Sequence, residues 1–212
     1  MKTLRYTLLA DGSSDRALIP IINWLLNQHA AVPFEPQFPK RIPSHGLGLK
    51  LRIEQVLDLY PCDVLFVHRD GEGESFDVRS REIADNIPDF APESIHVIPI
   101  RMTEAWLLTS VPAIRFAADN PSGQVELRLP ARDRLENLPD PKRDLSTLLS
   151  VASELHGRRL DKFNSIRRIP RVAELTDDFS ALRDLGAFRR LEQRLLDVLA
   201  RLDAGAAGPA VA

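Results

Sequence analysis

One cysteine, Cys62, in 212 residues excludes an intrachain disulfide framework and any zinc site built from clustered cysteines. A lone thiol fits a reducing compartment, and its place at the entrance to an apolar strand marks it as a buried structural group. No apolar stretch approaches the roughly 20 residues that span a bilayer, so no membrane association is expected. The short apolar run near the amino end stops at Asp11. No secretion signal is visible there, and the expected location is cytoplasmic. Charge of one sign is missing too: 28 Lys and Arg against 30 Asp and Glu leave a net −2. That balance carries no whole-chain signal for a polyanion or a membrane, and only local patches can supply one. There is no Walker-type phosphate loop, no dinucleotide Gly-x-Gly-x-x-Gly, and no spacing that supports a Ser-His-Asp triad. Low complexity is confined to the Ala/Gly/Pro tail at 204–212, which is expected to be disordered.

What is present is an alternation of strand and helix. Residues 4–10 read as a strand, Asp11-Gly12-Ser13-Ser14-Asp15 as a turn with a helix cap, and 17–29 as an apolar helix. Pro33, Pro36, Pro39 and Pro43 leave room only for a short edge strand at 34–38. Helical spacing returns at 46–60, followed by a strand at 64–67, a helix at 76–86, a strand at 95–100 and a helix at 104–108. This pattern predicts an α/β domain over 1–117, with a mostly parallel four-stranded sheet flanked by helices. From residue 118 a Pro/Asp-rich connection runs to Asp144, and helices at 145–156 and 180–202 follow. Residues 118–203 are therefore expected to form a helical C-terminal extension packed on the sheet, with Trp24 and Trp106 in the core.

The densest chemistry lies at 61–75. The apolar run Val64–Val67 ends abruptly in His68-Arg69-Asp70-Gly71-Glu72-Gly73-Glu74, where carboxylates alternate with glycines. A buried strand that delivers carboxylates to a bending loop crowds negative charge, which is costly unless a cation neutralises it. In a parallel sheet the binding groups collect at the carboxyl ends of the strands. The other two strand ends carry Asp11, and Arg101 with Glu104.

Strand-Asp11-Gly12-Ser13-Ser14-Asp15-helix and strand-His68-Arg69-Asp70-Gly71-Glu72 together resemble the Toprim domain of topoisomerases, primases and overcoming-lysogenization-defect nucleases. In that domain the first strand ends in Glu-Gly and a later one in Asp-x-Asp. Ile98-Pro99-Ile100-Arg101-Met102-Thr103-Glu104-Ala105-Trp106-Leu107-Leu108 and Asp140-Pro141-Lys142-Arg143 look like a bacterial Toprim-like family of unknown function, over roughly residues 3–195. The resemblance implies a Toprim/Rossmann-like fold and a Mg²⁺ or Mn²⁺ site formed by Asp11, His68, Asp70, Glu72 and Glu104. It also implies metal-dependent, nuclease-like phosphodiester processing. Asp11, Asp70 and Glu104 are the expected catalytic carboxylates, and Arg101 and Lys142 the cations facing the phosphoryl oxygens. By analogy the setting is conflict with phage or mobile DNA.

Two positions depart from the family pattern. Asp11 stands where Glu is usual, one methylene or about 1.5 Å shorter. His68 stands where the first Asp of Asp-x-Asp belongs, and imidazole favours softer metals such as Mn²⁺ or Zn²⁺ over Mg²⁺. These departures support the alternative of a catalytically degenerate module that binds nucleic acid or a protein partner.

Other features keep two readings. Asp15 suits a metal site or a helix cap. His45-Gly46-Leu47-Gly48 is an anion nest or plain helix punctuation. Arg158, Arg159, Lys162, Arg167, Arg168 and Arg171, opposed within their span only by Asp161, track a nucleic-acid backbone or pair with Glu174, Asp177 and Asp178.

Overall fold

The computed structural model describes residues 3–39, 47–71 and 73–206, without the side chains of Ser13 and Ala206. Four strands, β1 (Leu4–Leu9), β2 (Phe34–Gln37), β3 (Val64–His68) and β4 (Glu93–Val97), form one sheet in the order β2-β1-β3-β4, and all pairings are parallel. β3 is buried along its whole length, which is why it reads as an unbroken apolar run. β2 pairs only with β1 and carries Pro36, a residue an edge strand tolerates because one side of its backbone donates to nothing.

Side chains alternate between two cores. Leu4, Tyr6, Leu8, Phe66, Ile95 and Val97 face one cluster, and Leu9, Leu65, Val67 and Ile98 face the other. Helix α1 (Leu18–His29) returns the chain from β1 to β2 on the first face. The chain then passes back across β1 to β3, and α2 (Leu49–Leu59) and α3 (Phe76–Ala84) cover the second face. Parallel crossovers share one hand, so reversing the direction of travel puts the helix on the opposite face. The reversal between β1 and β3 opens a crevice at the carboxyl end of the sheet.

The first face carries α4 (Val111–Ala117), α5 (Pro141–Ala152), α7 (Ile169–Glu174) and α8 (Gly186–Ala206), while the short, exposed α6 (Arg158–Asp161) lies between α5 and α7 in sequence. A single buried cluster runs from Leu4 through Leu145, Val172 and Phe188 to Leu199, so sheet and helical part share one core. Trp106 is fully buried edge-on to Phe188, with ring centroids 5.5 Å apart, while Trp24 is half-buried against the same core.

Several boundaries differ from the sequence reading. The fourth strand is 93–97 rather than 95–100, because Pro99 cannot donate to a ladder and the segment beyond it leaves the sheet. The element at 104–108 is a 3-10 turn, Thr103–Leu107, and a 3-10 turn at Ser13–Ala17 precedes α1. Helix α5 starts at Pro141, four residues before the expected start, because the Asp140 side chain accepts from the Arg143 N–H and Pro141 occupies the first turn. The expected helix at 180–202 is a 3-10 turn, Ser180–Asp184, followed by α8, which continues through residues 204–206 where the tail was expected to begin. Among the described residues, no helix is long and apolar enough to cross a membrane.

Candidate functional site: a carboxylate cluster at the carboxyl end of the sheet

The crevice between β1 and β3 gathers several carboxylates around one buried histidine. β3 ends on His68, whose ring is buried. Its Nδ1 lies 2.9 Å from the Val97 carbonyl oxygen. A carbonyl only accepts, so Nδ1 carries a proton and Nε2 is the ring atom aimed into the crevice. Around Nε2 stand Asp70 Oδ1 at 3.5 Å, Asp15 Oδ2 at 3.8 Å and the Thr103 hydroxyl at 3.5 Å.

Each neighbour arrives by a different local device. Asp15 sits in the 3-10 turn after β1, and its Oδ2 accepts the Gly12 N–H at 2.8 Å, which turns the carboxylate back toward the sheet. Asp70 follows β3 by two residues. The loop there is pinned to the extension of β4: Arg69 N–H donates to Val97 and Gly71 N–H to Pro99. The approach at Gly71 is so close that a Cβ would lie 2.1 Å from the Ile100 carbonyl oxygen, so glycine is obligatory for contact rather than for bending. Gly73 has φ +94° and supplies the turn itself. Thr103 and Glu104 open the next 3-10 turn; Glu104 is buried, with Lys142 Nζ of α5 4.0 Å from its carboxylate.

Asp70 bears the strain of this arrangement. Its Oδ1 is buried with no hydrogen-bond partner among the described residues; His68 Nε2 is within ion-pair reach but beyond a normal ~2.7–3.2 Å hydrogen bond. Burial pushes the Asp70 carboxyl up to about 6; the charges of Asp15 and Glu104 add to the rise, while His68 and the Thr103 N–H oppose it.

The predicted site residues divide. His68, Asp70 and Glu104 come together with Lys142 beside them, and Asp15 joins them. Asp11 is held instead by two arginines: Arg52 of α2 at 2.7 Å and Arg69 at 3.4 Å. Its carboxylate is half-exposed. Arg101, next to the turn, is half-buried and makes no hydrogen bond or ion pair with any described residue. Glu74 is exposed, and Glu72 lies outside the described residues, as do His45 and Gly46 of the candidate anion nest. Three contributors were not given roles from sequence: Arg52, Arg69 and Thr103. Arg52 carried a usable signal, a cation on the buried stripe of α2 at helical spacing with Ile53 and Val56.

Among the described residues, no three His, Cys, Asp or Glu side chains stand as a finished cage for a metal ion. The donor chemistry nonetheless suits a divalent cation: carboxylate oxygens, one of them orphaned, and an imidazole whose far nitrogen is fixed on a backbone carbonyl, as in metal-ligating histidines. Ligands sharing one ion at ~2.0–2.2 Å are themselves separated by about 3–3.5 Å. The 3.5 and 3.8 Å spacings around Nε2 are therefore at or slightly beyond the upper edge of that range.

Comparison with protein-family models, with curated proteins and with solved structures finds no match to this chain.

Proposed function

We propose that this chain is a cytoplasmic, divalent-metal-dependent protein that processes phosphodiesters in a nuclease-like way, as its Toprim-like motifs imply. The observation that carries the reading is the buried Oδ1 of Asp70, which has no hydrogen-bond partner among the described residues, set among Asp15, Glu104 and the inward-facing Nε2 of His68. Paired structural carboxylates have no reason to leave an oxygen in that condition. Asp15, Asp70, Glu104 and His68 are the residues that would hold the ion, and the imidazole favours Mn²⁺ over Mg²⁺. Bound there, a divalent ion polarises a phosphoryl oxygen and lowers the pKa of water.

The remaining residues have distinct work. Arg101, free of any described partner, and Lys142, beside Glu104, supply positive charge for the phosphoryl oxygens. Asp11 acts through Arg52 and Arg69: it fixes Arg69 between β3 and Asp70, and so orients the loop. This role differs from the metal-ligand role that the motif implied for Asp11.

The test is cleavage of labelled single- and double-stranded oligonucleotides with Mn²⁺. Wild-type protein cleaves at least one, and Asp70→Asn abolishes it; equal cleavage by Asp70→Asn removes the site from the reaction. The second reading, a non-catalytic module, is favoured by the arginine-held Asp11 and by the unfinished cage. It predicts no cleavage of any of these substrates, whether or not Mn²⁺ is present.

A further inference from the structure

On the helical side, away from the carboxylates, α6, α7 and the segment joining them surround a cleft of about 460 Å³. Its walls carry Arg159, Lys162, Arg167, Arg168 and Arg171 and not one carboxylate. A chain of net charge −2 does not produce such a gathering through basic composition. The acidic segment Glu174, Asp177 and Asp178 does not neutralise it, since none of the three pairs with these cations. Asp119, from the end of α4, takes Arg168 and Arg171 instead. Arg159, Lys162 and Arg167 are exposed and form no ion pair with any described residue. Arg168 is fixed over the Phe163 ring at 4.8 Å and bonded to the Ala117 carbonyl, so the back wall is rigid while three cations at the mouth stay free.

We propose that this cleft binds successive phosphates of a nucleic-acid backbone. Three free cations around one opening, with no carboxylate among its lining residues and the nearby Asp119 already paired to Arg168 and Arg171, suit a polymer of regularly spaced phosphates. The placement adds a second argument. Helix α7, which carries Arg171 and begins next to Arg168, packs on both 3-10 turns of the carboxylate cluster, the one holding Asp15 and the one holding Glu104. A strand lying in the cleft is thereby held next to the element that buttresses the crevice. The binding itself is independent of the metal reading.

The experiment measures anisotropy of a fluorescein-labelled DNA strand with full-length protein in EDTA, so that failure of metal chemistry does not touch it. Single strand, duplex and an RNA strand of the same sequence are separate arms sharing the same backbone chemistry. Wild-type protein binds at least one arm, and affinity falls as salt rises. Arg159→Glu, Lys162→Glu and Arg167→Glu together weaken binding about a hundredfold at about 0.1 M salt and flatten the log–log salt slope by about 2, at roughly 0.7 for each phosphate no longer neutralised. A control with the same change in net charge, Lys50→Glu, Arg81→Glu and Arg134→Glu, on exposed cations outside the cleft, changes affinity less than threefold. The milder Gln triple at 159, 162 and 167, with an unchanged melting temperature, separates loss of binding from loss of fold. Equal binding by the cleft variants, equal loss in the control, no binding of any arm by wild type, or full competition by polyglutamate each overturns the proposal.

Discussion

The two ends of the sheet treat a carboxylate in opposite ways. At the amino end, Glu93 opens β4 and is clasped by Arg201 at 2.7 and 2.9 Å and by Arg194 at 3.4 Å, both from α8. The hydrogen bond from Arg201 holds its carboxyl below the ordinary range against the opposing effect of burial, with both arginine charges adding to the lowering. At the carboxyl end, Asp70 has a buried oxygen with no hydrogen-bond partner among the described residues, two more carboxylates nearby and a carboxyl pushed up to about 6. Both residues flank strands of one sheet, so sheet geometry alone does not set their fates. Glu93 ties α8 to the sheet edge and is satisfied by the fold. Asp70 is not, and this uncompensated group is the one that the proposed cation would neutralise.

The largest effect separates the two ends by metal affinity. Asp15→Asn and Glu104→Gln each weaken Mn²⁺ binding by about a hundredfold, roughly 2.7 kcal/mol, whereas Glu93→Gln leaves it unchanged in the same titration. Asp11→Asn tests the rearranged ligand set, and a loss as large as that of Asp15→Asn would return Asp11 to the metal. Next is Gly71→Ala. Its Cβ meets the Ile100 carbonyl, so urea unfolding registers a loss of about 2–3 kcal/mol from overpacking, and an unchanged midpoint would show that the Asp70 loop is not pinned there.

A smaller effect concerns pH. The folded Asp70 carboxyl is raised to about 6 from 3.8, so the folded state binds its proton more tightly than the unfolded chain does. Its unfavourable contribution is absent below the unfolded value, grows as pH rises between the two, and is complete above the folded value. In EDTA, Asp70→Asn is therefore more stable than wild type at pH 7.5 by about 3 kcal/mol, and the advantage disappears near pH 4. A constant difference across that range contradicts the assignment. The smallest effect is at the other end. Glu93→Gln costs about 0.5–1 kcal/mol at neutral pH, less at high salt, because its arginine partners are partly exposed. Its sign is opposite: Glu93 stabilises above the unfolded pKa, and this is lost as pH falls through the depressed folded one.

The alternation of strands and helices was legible because β1 and β3 each present buried residues to two cores, and α1 and α8 are long enough to show a stripe. α4 and α7 were not foreseen, because six or seven residues fill too few turns for a periodicity to stand out. His68, Asp70 and Glu104 were legible as strand-end groups. The choice between Asp15 and Asp11 was not, since it depends on a 3-10 turn that folds Asp15 back onto the Gly12 N–H and on Arg52 and Arg69 capturing Asp11. The basic run at 158–171 was visible, but its freedom from the following acids was not. That depends on Asp119, about fifty residues earlier in the chain, supplying the pairing.

The most direct measurement is a calorimetric titration of Mn²⁺ into wild-type protein and Asp70→Asn at pH 7.5. The account predicts saturable binding of the ion by the wild type, weakening as pH falls below about 6, and no binding by Asp70→Asn. Absence of binding by the wild type at millimolar Mn²⁺, or equal binding by both proteins, contradicts it.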